Sequence, residues 1–212
     1  MNQWHALTTE TAVSTLSNPA DLFSFLQQPT DLPILTIDMP FENVNVILAQ
    51  RAAALTEGIY LGDELDFVNA DIRLTQDGAT TTTPVRMQLR SGLAENLAQE
   101  NGKWPFAVQT RRDNQLLGMT SFTLQDPASN NWLNQWLFTR SLAQHGLLTT
   151  RYQMVQLVFN GQPRGIYGLQ GGLNDAFLAT NQREAGLIIE YDTARLWETT
   201  AVFAGDVEAA LG

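Results

Sequence analysis

The sequence predicts an α+β domain: a largely antiparallel sheet with flanking helices. Three observations carry this. The stretches 67–74 and 85–89 alternate apolar and polar residues on either side of Asp77-Gly78 and a threonine run, a connection too short for a crossover helix. Asn160-Gly161 lies between the strand-like runs 151–159 and 162–169 and supplies the positive φ angles of a primed hairpin turn. Between these regions, 130–145 carries Trp132, Leu133, Trp136, Leu137 and Leu142 at helical spacing, with Gly146 where a C-terminal cap belongs.

Three segments follow from the pattern: an N-terminal arm over 1–30, the α+β domain over 31–197 and a tail over 198–212. In the arm, Asn18-Pro19-Ala20-Asp21 opens a short helix with Leu22, Phe23, Phe25 and Leu26 on its apolar face. Residues 32–39 read as a buried strand stopped by Pro40, and 42–57 as a helix ended by Gly58. A short helix is expected over 92–99, and strands over 104–110 and 118–124. The hairpin's strand face, Tyr152, Val155, Leu157 and Phe159, is expected to pack on Leu133, Trp136 and Leu137 as the central core. A short helix over 173–179 and a last strand over 187–191 complete the domain.

Composition narrows the function classes. A net charge of -10 and a pI near 4.5 argue against nucleic acid as partner, because phosphates reward a basic footprint. No cysteine is present, which removes disulfides, thiolate metal sites and thiol nucleophiles. No stretch has the roughly 20 apolar residues of a membrane helix, and the N-terminus does not read as a signal peptide. His5 and His145 are too few and too far apart for an imidazole metal site, and His145 beside Gly146 reads as part of a helix cap. Phosphate-binding P-loop and hydrolase-elbow motifs do not occur. Asp63, Glu64, Asp66 and Asp71 lack calcium-loop spacing and read as a solvated acidic face. Among twelve basic residues, Lys103 is the one lysine.

The runs 85–92, 103–106 and 117–122, followed by Trp136-Leu137, Asn160-Gly161 and Gly165-Ile166-Tyr167, form an ordered series that over about 32–197 resembles the CotH-type (spore coat protein H) kinase-like family. Val85-Arg86-Met87-Gln88-Leu89-Arg90-Ser91-Gly92 is similar to that family's "RLRG" strand. Lys103-Trp104-Pro105-Phe106 resembles its lysine-bearing strand, and Leu117-Gly118-Met119-Thr120-Ser121-Phe122 the strand after it. Trp136-Leu137, Gly146-Leu147, Asn160-Gly161 and Gly165-Ile166-Tyr167 continue the order. The resemblance implies the N-terminal portion of an atypical protein-kinase fold that binds ATP with magnesium, with Lys103 meeting the phosphates on the exposed edge of the strand pair 104–110 and 118–124. It also implies an extracytoplasmic setting and secreted or coat proteins as substrates.

Gln170-Gly171-Gly172 stands where the family tends to carry acidic residues, and nothing here matches its C-terminal metal-binding and catalytic Asp/Asn elements. The expectation is therefore a noncatalytic binding or assembly subunit with a protein partner and no catalytic or metal residues. The alternative is the nucleotide-binding portion of an ATP-dependent protein kinase.

Overall fold

The computed structural model describes residues 32–98, 102–184 and 186–189. The expected arm over 1–30 and tail over 198–212 lie outside the described residues.

Among the described residues nine strands form in chain order: β1 (Ile34–Asp38), β2 (Ile59–Tyr60), β3 (Val68–Gln76), β4 (Ala79–Leu89), β5 (Gly92–Leu93), β6 (Phe106–Thr110), β7 (Ser121–Gln125), β8 (Tyr152–Phe159) and β9 (Gln162–Gly171). The helices are α1 (Phe41–Glu57), α2 (Glu95–Ala98), α3 (Asn134–Gln144) and α4 (Asp175–Thr180). Seven strands close into a barrel in the order β1-β3-β4-β6-β7-β9-β8, while β2 and β5 pair as a separate ribbon.

This architecture overturns the expected antiparallel sheet with flanking helices and the kinase-like N-terminal portion. The six sequence-adjacent or nearly adjacent pairings are antiparallel, as expected, but β1 also pairs in parallel with β8, Leu35 opposite Leu157 and Ile37 opposite Phe159. That seventh pairing joins the ends of the sheet and leaves it without an edge. No turn residue announces it, because its partners lie on either side of most of the domain.

Within the barrel, strand alternation sends one face inward. Leu35 and Ile37, Ile72 and Leu74, Val85 and Met87, Val108, Phe122 and Leu124, Val155 and Leu157, Tyr167 and Leu169 are all buried. The loop before β7 folds Leu116 and Met119 into the same core. Parity places Tyr152 on the opposite strand face from Val155, against the single apolar face expected for this strand. A side chain built on Gly168 would overlap the Tyr152 ring. The turn itself is as expected: Asn160 has φ 45° and Gly161 φ 78°. Asn160 also fastens the seam, its Oδ1 accepting from Met39 N at 2.7 Å and its Nδ2 donating to Met39 O at 2.9 Å.

Helix α1 follows β1 and packs on β2, β3, β4 and α2. Its buried residues are Ile47, Gln50 and Ala54, and Gly58 ends it in the left-handed conformation. Gln50 joins two elements, donating to Asp66 O at 2.7 Å and accepting from Leu89 N at 3.3 Å.

Helix α3 corrects a second expectation. A 3-10 turn occupies Pro127–Asn130, Asn131 and Trp132 take positive φ, and the helix begins only at Asn134. It touches β8, but Thr139 is its one buried residue, whereas Leu133, Leu137 and Phe138 are exposed. The central core is the barrel interior, not the helix–hairpin contact. The short helix expected over 92–99 is a ribbon strand, β5, followed by α2. Of the last expected strand, the described residues 187–189 form none. Among the described residues, no helix is long and apolar enough to cross a membrane.

Candidate functional site

Lys103 lies three residues before β6, at the rim of the barrel beside α1. Its stem crosses Gly165, where a Cβ would stand 3.3 Å from Lys103 Cε. Gly165 has φ 80° and sits at an irregularity in the β8–β9 ladder, opposite Leu157. Only a residue free of Cβ meets both demands without strain.

The ammonium group is held from several sides. Nζ is 3.3 Å from Asp126 Oδ1 and 3.4 Å from the Ile166 carbonyl, and it lies 5.7 Å from the centroid of the Trp132 ring. The Lys103 and Asp126 side chains are 18% and 13% exposed, so the pair is well shielded from water. Asp126 is itself positioned, because the same Oδ1 accepts from Ala128 N and caps the 3-10 turn that begins at Pro127. Below the pair, the Tyr167 hydroxyl reaches the carbonyls of Gly102 at 3.4 Å and Trp104 at 3.3 Å. Burial pushes the Tyr167 phenol above its ordinary range, the negative charge of Asp126 adds to the rise, and Arg164 opposes it. On the same side of the molecule Tyr60 is also raised, first by burial and then by Asp66.

A cavity of about 260 Å3 opens beside Lys103. Arg90 and Lys103 bring positive charge to its wall, Asp126 brings one negative charge, and Asn96, Gln125 and Ser129 bring neutral hydrogen-bonding groups. Arg90 is aimed by its Nη1 bond to Gln125 Oε1 at 2.8 Å. The wall can therefore fix a polar or anionic ligand by charge and hydrogen bonds.

Lys103 thus lies in a built polar site, but the strand-edge placement is wrong: β6 is paired on both sides, with β4 and β7, and the lysine stands at the barrel rim. Sequence reasoning missed Asp126 as its partner and Arg90 as its neighbour. Asp126-Pro127 does carry a helix-start signal, but that signal says nothing about a lysine 23 positions earlier.

Three of the four carboxylates weighed as a calcium loop, Asp63, Glu64 and Asp66, have structural partners. Asp63 and Asp66 form a capping box on a single 3-10 turn, and Glu64 pairs with Arg86 at 2.7 Å. Among the described residues, no group of three or more His, Asp or Glu side chains is placed to hold a metal. His145 is the C-cap residue of α3, with Gly146 after it at φ 69°.

Fold and cavity together define a class: a closed mixed β-barrel with a polar cavity at one rim. The sequence matches no family model, and no curated protein matches it.

Proposed function

We propose that this chain is a noncatalytic binding or assembly module that docks a partner protein through the outer side of α3 and the segment after it. One observation carries the reading. Trp132, Leu133, Leu137, Phe138, Leu147 and Leu148 are between 45% and 60% exposed within a single short stretch. Single exposed apolar residues are ordinary, whereas a concentration of them, here on α3 and the segments that flank it, marks an interaction surface. Leu133 and Leu137 are one helical turn apart and so share a side.

A photoreactive residue in place of Phe138 tests this in the native host. The expected result is a discrete adduct with a different protein that disappears when Leu133→Glu and Leu137→Glu are added. A crosslink that closes within one chain, or joins two copies of it, overturns the reading.

A second reading is favoured by the Lys103 cavity: a phosphate-bearing ligand such as a nucleotide, held by Lys103 and Arg90, in line with the CotH-type resemblance. Calorimetric titration of ATP with magnesium decides it. Binding that is lost in Lys103→Ala supports the reading; equal binding by both proteins removes Lys103 from it.

A further inference from the structure

A second cavity, of about 340 Å3, lies at the other rim. The parallel β1–β8 pairing and the antiparallel ladders put the C-terminal ends of β1, β4, β7 and β8 at the α1 rim. The start of β8, the end of β9 and the start of β7 therefore share the opposite rim. Helices α3 and α4, the loop before β7 and the segment 149–151 contribute the rest of the wall.

Its charge is one-sided. Among the described residues, Arg140 and Arg151 are the only charged ones in the wall. Among the described residues, neither forms an ion pair, although other basic side chains do: Arg73 with Asp38, Arg86 with Glu64 and Lys103 with Asp126. Both guanidinium groups are positioned. Arg151 Nη1 donates to Leu117 O at 2.9 Å, and Arg140 lies 5.3 Å over the Trp136 ring. Each guanidinium carries five N–H donors, so one carbonyl bond leaves most of Arg151's capacity for something else. In a chain of net charge -10, two arginines converging on one hollow with no carboxylate among the described lining residues run against the general field.

The remaining wall sets the rest of the ligand's chemistry. Leu117, Met119, Ala143 and Phe177 offer apolar contact, and Thr149 and Thr150 offer hydroxyls. Tyr152 lines the same cavity, and its buried hydroxyl makes no hydrogen bond among the described residues, a state that buried polar groups rarely keep. Part of the wall depends on residues without side chains. A Cβ on Gly171 would come 2.9 Å from Met119 Sδ, and one on Gly172 would overlap the Ser121 hydroxyl. The volume falls in the range of small-molecule sites, roughly 300–1,000 Å3.

We infer that this rim cavity binds a small organic anion, a carboxylate or phosphate monoester on an apolar body, with Arg140 and Arg151 as the anion-binding residues. The inference does not rest on the Lys103 cavity, and on α3 it uses Thr139, Arg140 and Ala143 rather than the Leu133, Leu137 and Phe138 of the docking surface.

The test is an amide chemical-shift titration of the whole chain with phenyl phosphate as the probe and benzyl alcohol as its neutral counterpart. Saturating shifts are expected at Gly118, Thr149, Gly171, Gly172 and Asn174, with much weaker binding of benzyl alcohol. Arg140→Gln with Arg151→Gln should weaken phenyl phosphate at least about tenfold, the equivalent of one charge-assisted hydrogen bond. Both arginines are exposed, and the same spectra report whether the variant is folded. Arg73→Gln, at an exposed ion pair on β3 outside this cavity's wall, should bind as the wild type does. Shifts that never saturate, affinity unchanged in the double variant, or shifts centred on the Lys103 cavity would each overturn the inference.

Discussion

The two rims of this barrel handle positive charge in opposite ways. At the α1 rim, Lys103 is shielded, paired with Asp126 and seated on Gly165, and the Tyr167 hydroxyl supports the segment beneath it. At the other rim, Arg140 and Arg151 are exposed and face a cavity with no carboxylate among the described residues of its wall. A shielded pair couples its charges to the stability of the fold, because removing one partner leaves the other partly buried without its counter-charge. Exposed arginines contribute little to folding and keep their donors available to a ligand. The contrast teaches that a cation's neighbours, rather than its presence in a cavity, decide whether it acts as structure or as a contact point.

Asp126→Ala should give the largest effect, since it strands the Lys103 ammonium and removes the cap on Ala128. A loss of about 2 kcal/mol is expected in urea unfolding, below the range for a fully buried pair because both side chains line an open cavity. A loss no larger than that of Arg151→Gln would erase the distinction between the rims. Gly165→Ala should cost about 1–2 kcal/mol, from a Cβ forced to positive φ and pressed on the lysine stem. Unfolding midpoints of this variant and of Gly78→Ala, which has φ 77° but open space around its Cβ, separate the two causes.

Alkaline pH sharpens the comparison next. Tyr60 and Tyr167 have folded-state pKa values raised above the ordinary 10.0. Their neutral forms are favoured by folding, so this stability is fully present below about pH 10 and is lost as pH rises above it. Tyr167→Phe should flatten that decline between pH 9 and 11 while leaving the acid side unchanged; parallel curves would show that Tyr167 does not contribute. The smallest effect is expected from Arg140→Gln with Arg151→Gln in the absence of ligand. Each change should stay within about 0.5 kcal/mol, as for exposed groups, and a larger drop would make these arginines structural.

The local parts of the fold were legible in the sequence and the global closure was not. Asn160-Gly161 and Gly58 each announce a backbone conformation that few other residues adopt, so the hairpin and the end of α1 could be read directly. Strand pairing between Ile34–Asp38 and β8 leaves no such mark, because β1 looks the same whether one edge or both are bonded. Leu133 and Leu137 show the converse limit. Helical periodicity reveals an apolar stripe but not what lies against it, and here the interior was already filled by the strands. At the candidate site, Lys103 stood out by composition and resemblance, whereas Asp126 is brought to it only by the barrel rim.

Asn160 has a consequence for the order in which the molecule can be assembled. Its side chain grips Met39 across 121 positions of chain, at the corner where β1 meets β8. Until residues 152–160 have been synthesised, β1 can pair with β3 but has nothing for its second edge. A growing chain therefore carries an open strand edge, the feature that invites pairing with a neighbouring molecule. Closing a ring over so long a span is also slow, because loop entropy is lost before the contacts that repay it exist. The tight turn at Asn160-Gly161 shortens that vulnerable interval: the residue that reverses the chain into β9 is the same one that latches β1.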